Sequence, residues 1–186
     1  MRGQAKILTP MQHKAVLSVL DTRRDHAMYL LSANAGLRAV EIAGLRWQHV
    51  RGDVLELTAD VTKGKKARTV PMGKVLRESL NALKAEIGEP ADIDPVFPNR
   101  QMKGHPLSAN AVAQWFRHLY THRMGWTGYS SHSGRRTVIT RLARTITQHG
   151  GSLKDVQDIA GHAQLTTTQI YIEPSSDAKK KAMEGL

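Results

Sequence analysis

His132 and Arg135 stand three residues apart in a stretch of helical periodicity, so an imidazole and a guanidinium share one face near that helix's N-terminus. Free backbone N–H groups and the positive end of the helix dipole lie there as well, and with the planar Arg fork they make a phosphate-binding arrangement. A plain surface His/Arg pair is the commoner outcome at this spacing. Lys63, Lys65 and Lys66 cluster between two strand-like runs, where they either reach a nucleic-acid groove or decorate a solvated turn. Arg38 sits in Ala35-Gly-Leu-Arg-Ala-Val-Glu-Ile between two apolar helical segments, where an Arg is hard to bury without a partner. Glu41, three residues on, offers an ordinary ion pair as the alternative to a functional role. Near the C-terminus Gly161-His162 follows a short helical run, with Tyr171 nine residues later; a lone Tyr is more often a half-buried packing residue. His118 and His122 are spaced as helical metal ligands can be, but no HExxH glutamate accompanies them, and neither metal nor cofactor is expected. Walker, Rossmann and G-x-S-x-G patterns are all absent.

These side chains need elements to carry them. Thr9-Pro10, a cap followed by Pro at the first helical position, predicts a helix to about Leu20, and a second is expected from Asp25 to Ala35, stopped by Gly36. Arg38 to Leu45 reads as a short amphipathic turn. The period then changes: residues 53–58 and 68–71 predict two strands joined by the lysine turn, a β-hairpin with a basic tip. Helices are expected over Lys74 to Ile87, Ser108 to Met124, from a Ser130 or Ser131 cap to about Gln148, and from Ser152 to Ala160 with Gly161 as terminator. Residues 166–172 are ambiguous, β-branched by content but placed among helices. The expected fold class is mainly α with a small antiparallel β-sheet (α+β).

Composition narrows the function classes. The hydrophobic fraction of 40% and charged fraction of 23% are ordinary for a globular chain, and this length buries roughly 70% of the unfolded surface. Zero Cys excludes a disulfide framework and thiol catalysis. No apolar run approaches a membrane span, and MRGQAKILTP has no apolar core like that of a secretory signal, so no membrane partner and a cytoplasmic setting are expected. The net charge is +11, and it is uneven: residues 95–154 hold nine basic residues and no acidic one, whereas residues 155–186 hold three basic and five acidic. Such a block predicts a polyanion partner, since each neutralised phosphate releases condensed counterions.

Taken together, AGLRAVEIAGLRW (35–47), TKGKKARTVP (62–71), SHSGRRT (131–137) and DIAGHAQLTTTQIYI (158–172) resemble, in order and spacing, the catalytic domain of the tyrosine recombinases, the phage-integrase family. The resemblance implies the DNA breaking-rejoining fold over residues 9–172, with 1–8 as an N-terminal extension and 173–186 as a C-terminal tail that exchanges between protomers. It implies a catalytic set of Arg38, Lys63, His132, Arg135, His162 and Tyr171, with Lys65 or Lys66 as alternatives to Lys63. Lys65, Lys66, Arg68, Arg123 and Arg136 are expected DNA contacts. Tyr171 would attack a scissile phosphodiester to give a 3′-phosphotyrosyl enzyme and a free 5′-hydroxyl, with no metal and no ATP. Arg38 and Arg135 would clamp the non-bridging oxygens, Lys63 would protonate the leaving oxygen, His132 would act as base, and His162 would orient the phosphate.

The implied partner is double-stranded DNA, in the nucleoid of a bacterium or phage-infected cell, with self-association into a tetramer and an accessory DNA-bending protein. Three neighbours depart from the family's usual residues: Ala35 stands where Thr is common, Gly134 where an apolar residue is common, and Ala160 where Leu is common. Only about eight residues precede the first helix. The chain is thus expected to be either an excised catalytic domain or a minimal single-domain member, binding DNA weakly by itself. Competing readings are a non-catalytic sequence-specific DNA-binding module using the same basic face, a type IB topoisomerase-like strand-nicking enzyme, and a metal-dependent hydrolase.

Overall fold

The computed structural model describes residues 4–62, 66–102 and 104–169. Helix α1 (Pro10–Val19) starts on a reciprocal cap: Thr9 Oγ1 accepts from the Gln12 N–H at 3.2 Å, and the Gln12 side chain accepts from the Thr9 N–H at 3.0 Å. Helix α2 (Arg23–Ala33) is capped by Thr22 and buried without a break from Ala27 to Ala33. A helix apolar on every side belongs at the centre of a fold; α2 packs against α3 (Ala39–Gly44), α4 (Lys74–Ile87) and α6 (Ser133–Thr145).

A three-stranded antiparallel sheet of order β1-β2-β3 lies between α3 and α4 in the chain: β1 (Val50–Arg51), β2 (Val54–Leu57) and β3 (Arg68–Pro71). The expected hairpin is β2 and β3, in a register that sets Leu55 opposite Val70 and Leu57 opposite Arg68. Strand β1 was not expected, because two residues carry no readable alternation. Helix α4 follows the expected boundaries and ends on Gly88 at φ +89°. Its stripe of Leu76, Leu80 and Leu83 enters the main core.

Helix α5 (Ala109–His118) stops six residues before the expected Met124. Residues Leu119–Arg123 instead form a wider turn, in which the Met124 N–H reaches back five residues to the Leu119 carbonyl at 3.1 Å. Widening sends Leu119 and Tyr120 both inward, where Tyr120 stacks between Phe116 and Trp126. Helix α6 likewise ends in a tighter 3-10 turn, Ile146–His149, rather than running helically to Gln148. After it come α7 (Leu153–Ala160) and α8 (Leu165–Gln169).

Two apolar clusters result. The large one joins α1 to α5 and the sheet. The small one consists of Ile139, Val156 and Ala160, with Leu142, Ala143 and Ile146 against them, and seats α7 on α6. Among the described residues no helix is long and apolar enough to cross a membrane. Residues 4–8 lie along α6: the Leu8 N–H donates to Thr137 Oγ1 at 2.9 Å, and Arg136 donates to the Ala5 carbonyl at 2.7 Å.

Candidate active site

The site is organised by the C-terminal end of α7. The last carbonyls of any helix lack intrahelical donors and carry the negative end of its dipole. Here three successive carbonyls each accept from a different arginine: Ile159 from Arg68 Nε at 3.1 Å, Ala160 from Arg135 Nη2 at 2.6 Å, and Gly161 from Arg38 Nη2 at 3.3 Å. Gly161 takes φ +62°, and this turn lets the Gly161 and His162 N–H groups fold back onto the Asp158 and Gln157 carbonyls. A side chain at 161 would also collide with Arg68, since a Cβ there would lie 2.9 Å from its Cδ.

Each arginine arrives from a separate element. Arg38 is the residue before α3, delivered by a turn in which Gly36 adopts φ +69°. Its Nη1 donates to Glu41 Oε1 at 2.9 Å, so the ion pair considered from sequence is present, yet the side chain remains 20% exposed and lines a cleft. Arg135, in the first turn of α6, is 5% exposed and spans from the Ala160 carbonyl to the Gly36 carbonyl, 2.6 Å from Nη1. Arg68 begins β3. Its guanidinium meets Glu41 through two bonds of 2.8 Å, and its side chain is only 8% exposed. Arg68 was expected to contact DNA; here its nitrogens face inward, onto Glu41 and α7.

Glu41 is completely buried. Burial alone would push its carboxyl pKa up, but the Arg68 fork and charge, then the Arg38 backbone N–H and charge, hold it below the ordinary carboxylate range. Glu41 is therefore an anion shared by two guanidiniums. His162 shows the converse. Burial first, then Arg135, Arg38 and Arg68, push its pKa down from 6.5 to about 4. At neutral pH it is an uncharged imidazole, able to donate and accept hydrogen bonds without adding to the positive charge.

Arg38, Thr62, Lys66, Arg68, Gly161 and His162 wall a cleft of about 410 Å³. Thr62 Oγ1 donates to the Lys66 carbonyl at 3.0 Å, so the two residues flanking 63–65 are tied together on the cleft wall. Lys63 and Lys65 themselves lie outside the described residues, as do Tyr171 and the tail 173–186. His132 is exposed at the head of α6, one turn before Arg135. Beneath it, Gly134 permits a close approach of α6 to α2: a Cβ there would lie 2.6 Å from Ser32 Oγ and 3.0 Å from the Ala33 nitrogen. The departure from an apolar residue at 134 thus has a packing reason.

The other described candidates for DNA contact divide between the cleft and other surfaces. Arg123 is paired with Asp21 at 2.9 Å and with the Val19 carbonyl, and Arg136 is bonded to Ala5, whereas Lys66 is exposed on the cleft. His118 and His122 stack at 5.1 Å, but among the described residues no group of three His, Asp or Glu side chains could hold a metal. Sequence reasoning missed Glu41 and Arg68 as the pair that organises the cleft. The available signal was Glu41 three residues after Arg38, already visible as a partner.

The phage integrase family matches residues 6–177. Tyrosine recombinase XerC of Xylella fastidiosa (strain 9a5c) is 36% identical over 148 residues, covering 80% of this chain and 48% of the relative. Tyrosine recombinase XerA of Thermococcus kodakarensis is 28% identical over 185 residues, covering 98% of this chain and 63% of the relative. The chain spans about half the length of the curated XerC relatives it matches. In fold, it superposes on the Tn1549 transposon integrase, solved with a circular intermediate DNA, with a TM-score of 0.78 at 23% identity, over 99% of this chain and 67% of that one. With four sequence blocks in order, four of their cationic or imidazole side chains gathered on one helix end, and a family match across nearly the whole chain, the chain belongs to the phage integrase family.

Proposed function

We propose that this chain is the catalytic domain of a site-specific DNA recombinase, which cleaves and rejoins strands through a 3′-phosphotyrosyl intermediate on Tyr171. The observation that carries the reading is the convergence of Arg38, Arg135 and His162 on the end of α7, beside a cleft that also takes in Lys66. Phosphoryl transfer needs positive charge and hydrogen-bond donors fixed in advance where the non-bridging oxygens gain charge. Arginines already immobilised by protein carbonyls lose little freedom when a phosphate arrives.

In this reading Arg38 offers its unused N–H donors to one oxygen, Arg135 supplies charge from behind, and neutral His162 donates a hydrogen bond. His132 takes the tyrosine proton and Lys63 protonates the 5′-oxygen as it leaves. The phosphodiester is exchanged for a phosphotyrosine, and a partner strand's 5′-hydroxyl then displaces Tyr171, so the number of ester bonds is unchanged. Double-stranded DNA is the substrate. The working unit is a tetramer on paired sites, helped by a bending protein, in the nucleoid.

The test is covalent capture. The chain is incubated with a library of nicked duplexes of randomised sequence, and protein-linked strands are recovered. A denaturation-resistant adduct is expected for the native chain and not for Tyr171→Phe; an adduct that persists in Y171F removes Tyr171 as nucleophile. A chain that binds duplexes without forming any adduct is a DNA-binding module only.

A further inference from the structure

Building on that reading of the cleft, we propose that Arg68 is a positioning residue: by taking up the charge of Glu41 it leaves Arg38 cationic and open to a phosphate. Glu41 accepts four bonds, from the Arg38 N–H at 2.8 Å, from Arg38 Nη1 at 2.9 Å, and from both Arg68 Nη atoms at 2.8 Å. The Arg68 fork engages both carboxylate oxygens. Arg38 is therefore held through a single side-chain nitrogen, at the edge of the carboxylate.

An isolated Arg–carboxylate pair prefers two parallel bonds, which use up the fork and neutralise the charge. Two guanidiniums around one carboxylate instead carry a net positive charge, and the surplus belongs to the member with free donors. Both line the cleft, and that member is Arg38, because it is the more exposed of the two. Arg68 has no such freedom. Its Nε is spent on the Ile159 carbonyl, and its stem packs against Gly161, whose carbonyl receives Arg38 Nη2. One side chain thus sets both the charge and the anchoring points of Arg38. It does so from the first residue of β3, next to the lysine segment.

The mechanism predicts a rescue that plain scaffolding does not. Inorganic phosphate is titrated into the full chain while the His162 imidazole is followed by NMR, with single-turnover cleavage of the captured duplex as a parallel readout. Arg68→Met, which leaves Glu41 to Arg38 alone, is expected to weaken phosphate binding about tenfold and to slow cleavage by about a hundredfold, the cost of a mispositioned clamp. The double variant Glu41→Gln/Arg68→Met is expected to recover about tenfold of the cleavage rate, since the competing charge is gone. Arg68→Lys, which keeps the charge and loses the fork, is expected to stay within about tenfold of the native chain.

Unchanged phosphate affinity in R68M, or a double variant no better than R68M, overturns the proposal. Should R68M fail to fold, R68K carries the test: a folded R68K that has lost phosphate binding altogether overturns it. Absence of any adduct from the native chain counts against the recombinase reading, whereas the phosphate titration judges Arg68 separately.

Discussion

Helices α2 and α7 both pack on α6, but different physics holds each in place. Along α2 seven consecutive residues are buried, and the Gly134 contact leaves no room for a Cβ between α6 and α2. Along α7 only Val156, Gln157 and Ala160 are buried, and the helix end is held by arginine-to-carbonyl bonds from three other elements. The first interface sets whether the domain folds. The second sets whether the cleft is assembled, so stability and catalysis should be separable by mutation.

The largest expected loss of stability is on the α2 side. Leu31→Ala removes a fully buried side chain and should cost about 2–5 kcal/mol in urea unfolding. The cleavage rate of the molecules that stay folded should be little changed. Gly134→Ala comes next. Helix propensity alone favours Ala by about 1 kcal/mol, but the contact with Ser32 and Ala33 should reverse the sign and cost about 1–3 kcal/mol. A stabilised G134A would show that the two helices can move apart.

On the α7 side the order of effects inverts. Val156→Ala should cost only about 2 kcal/mol, yet slow adduct formation by about tenfold or more, because a shifted α7 displaces three arginine acceptors together. Equal losses in the L31A and V156A rates would erase the distinction. Acid acts on α7 as well. His162 is neutral when folded, down to about pH 4, but takes a proton below about pH 6.5 when unfolded, so its stabilising contribution is present above pH 6.5 and is lost as pH falls toward 4. The stability of the native chain relative to His162→Gln should therefore fall as pH drops between those values. A relative stability that rises on acidification reverses the sign. The smallest effect belongs to neither interface: Asp21→Asn, which breaks an exposed pair with Arg123, should change stability by less than about 1 kcal/mol.

What could be read from the sequence follows the same division. Helix α4 was legible residue for residue because its apolar stripe is regular and Gly88 ends it, and Thr9-Pro10 marked α1 by local chemistry alone. Strand β1 was too short to show a period. The widening after His118 depends on which aromatic partners meet Tyr120, information that is nonlocal. Of the site, the order and spacing of four blocks pointed to Arg38, Arg135 and His162, and these do meet around α7. The role of Arg68 was hidden, since a cation beside three lysines reads as one more surface charge until Glu41 is seen to be buried behind it.

The register of β2 against β3 acts as a parity check on the cleft. Arg68 points inward because Val70, two residues on, lies opposite Leu55 and is buried, while Thr69 between them is exposed. Changes to the segment that joins the strands leave Arg68 on Glu41 only if this pairing is kept. A slip of one position, however short the change that caused it, turns Arg68 to solvent and presents Thr69 to a buried carboxylate.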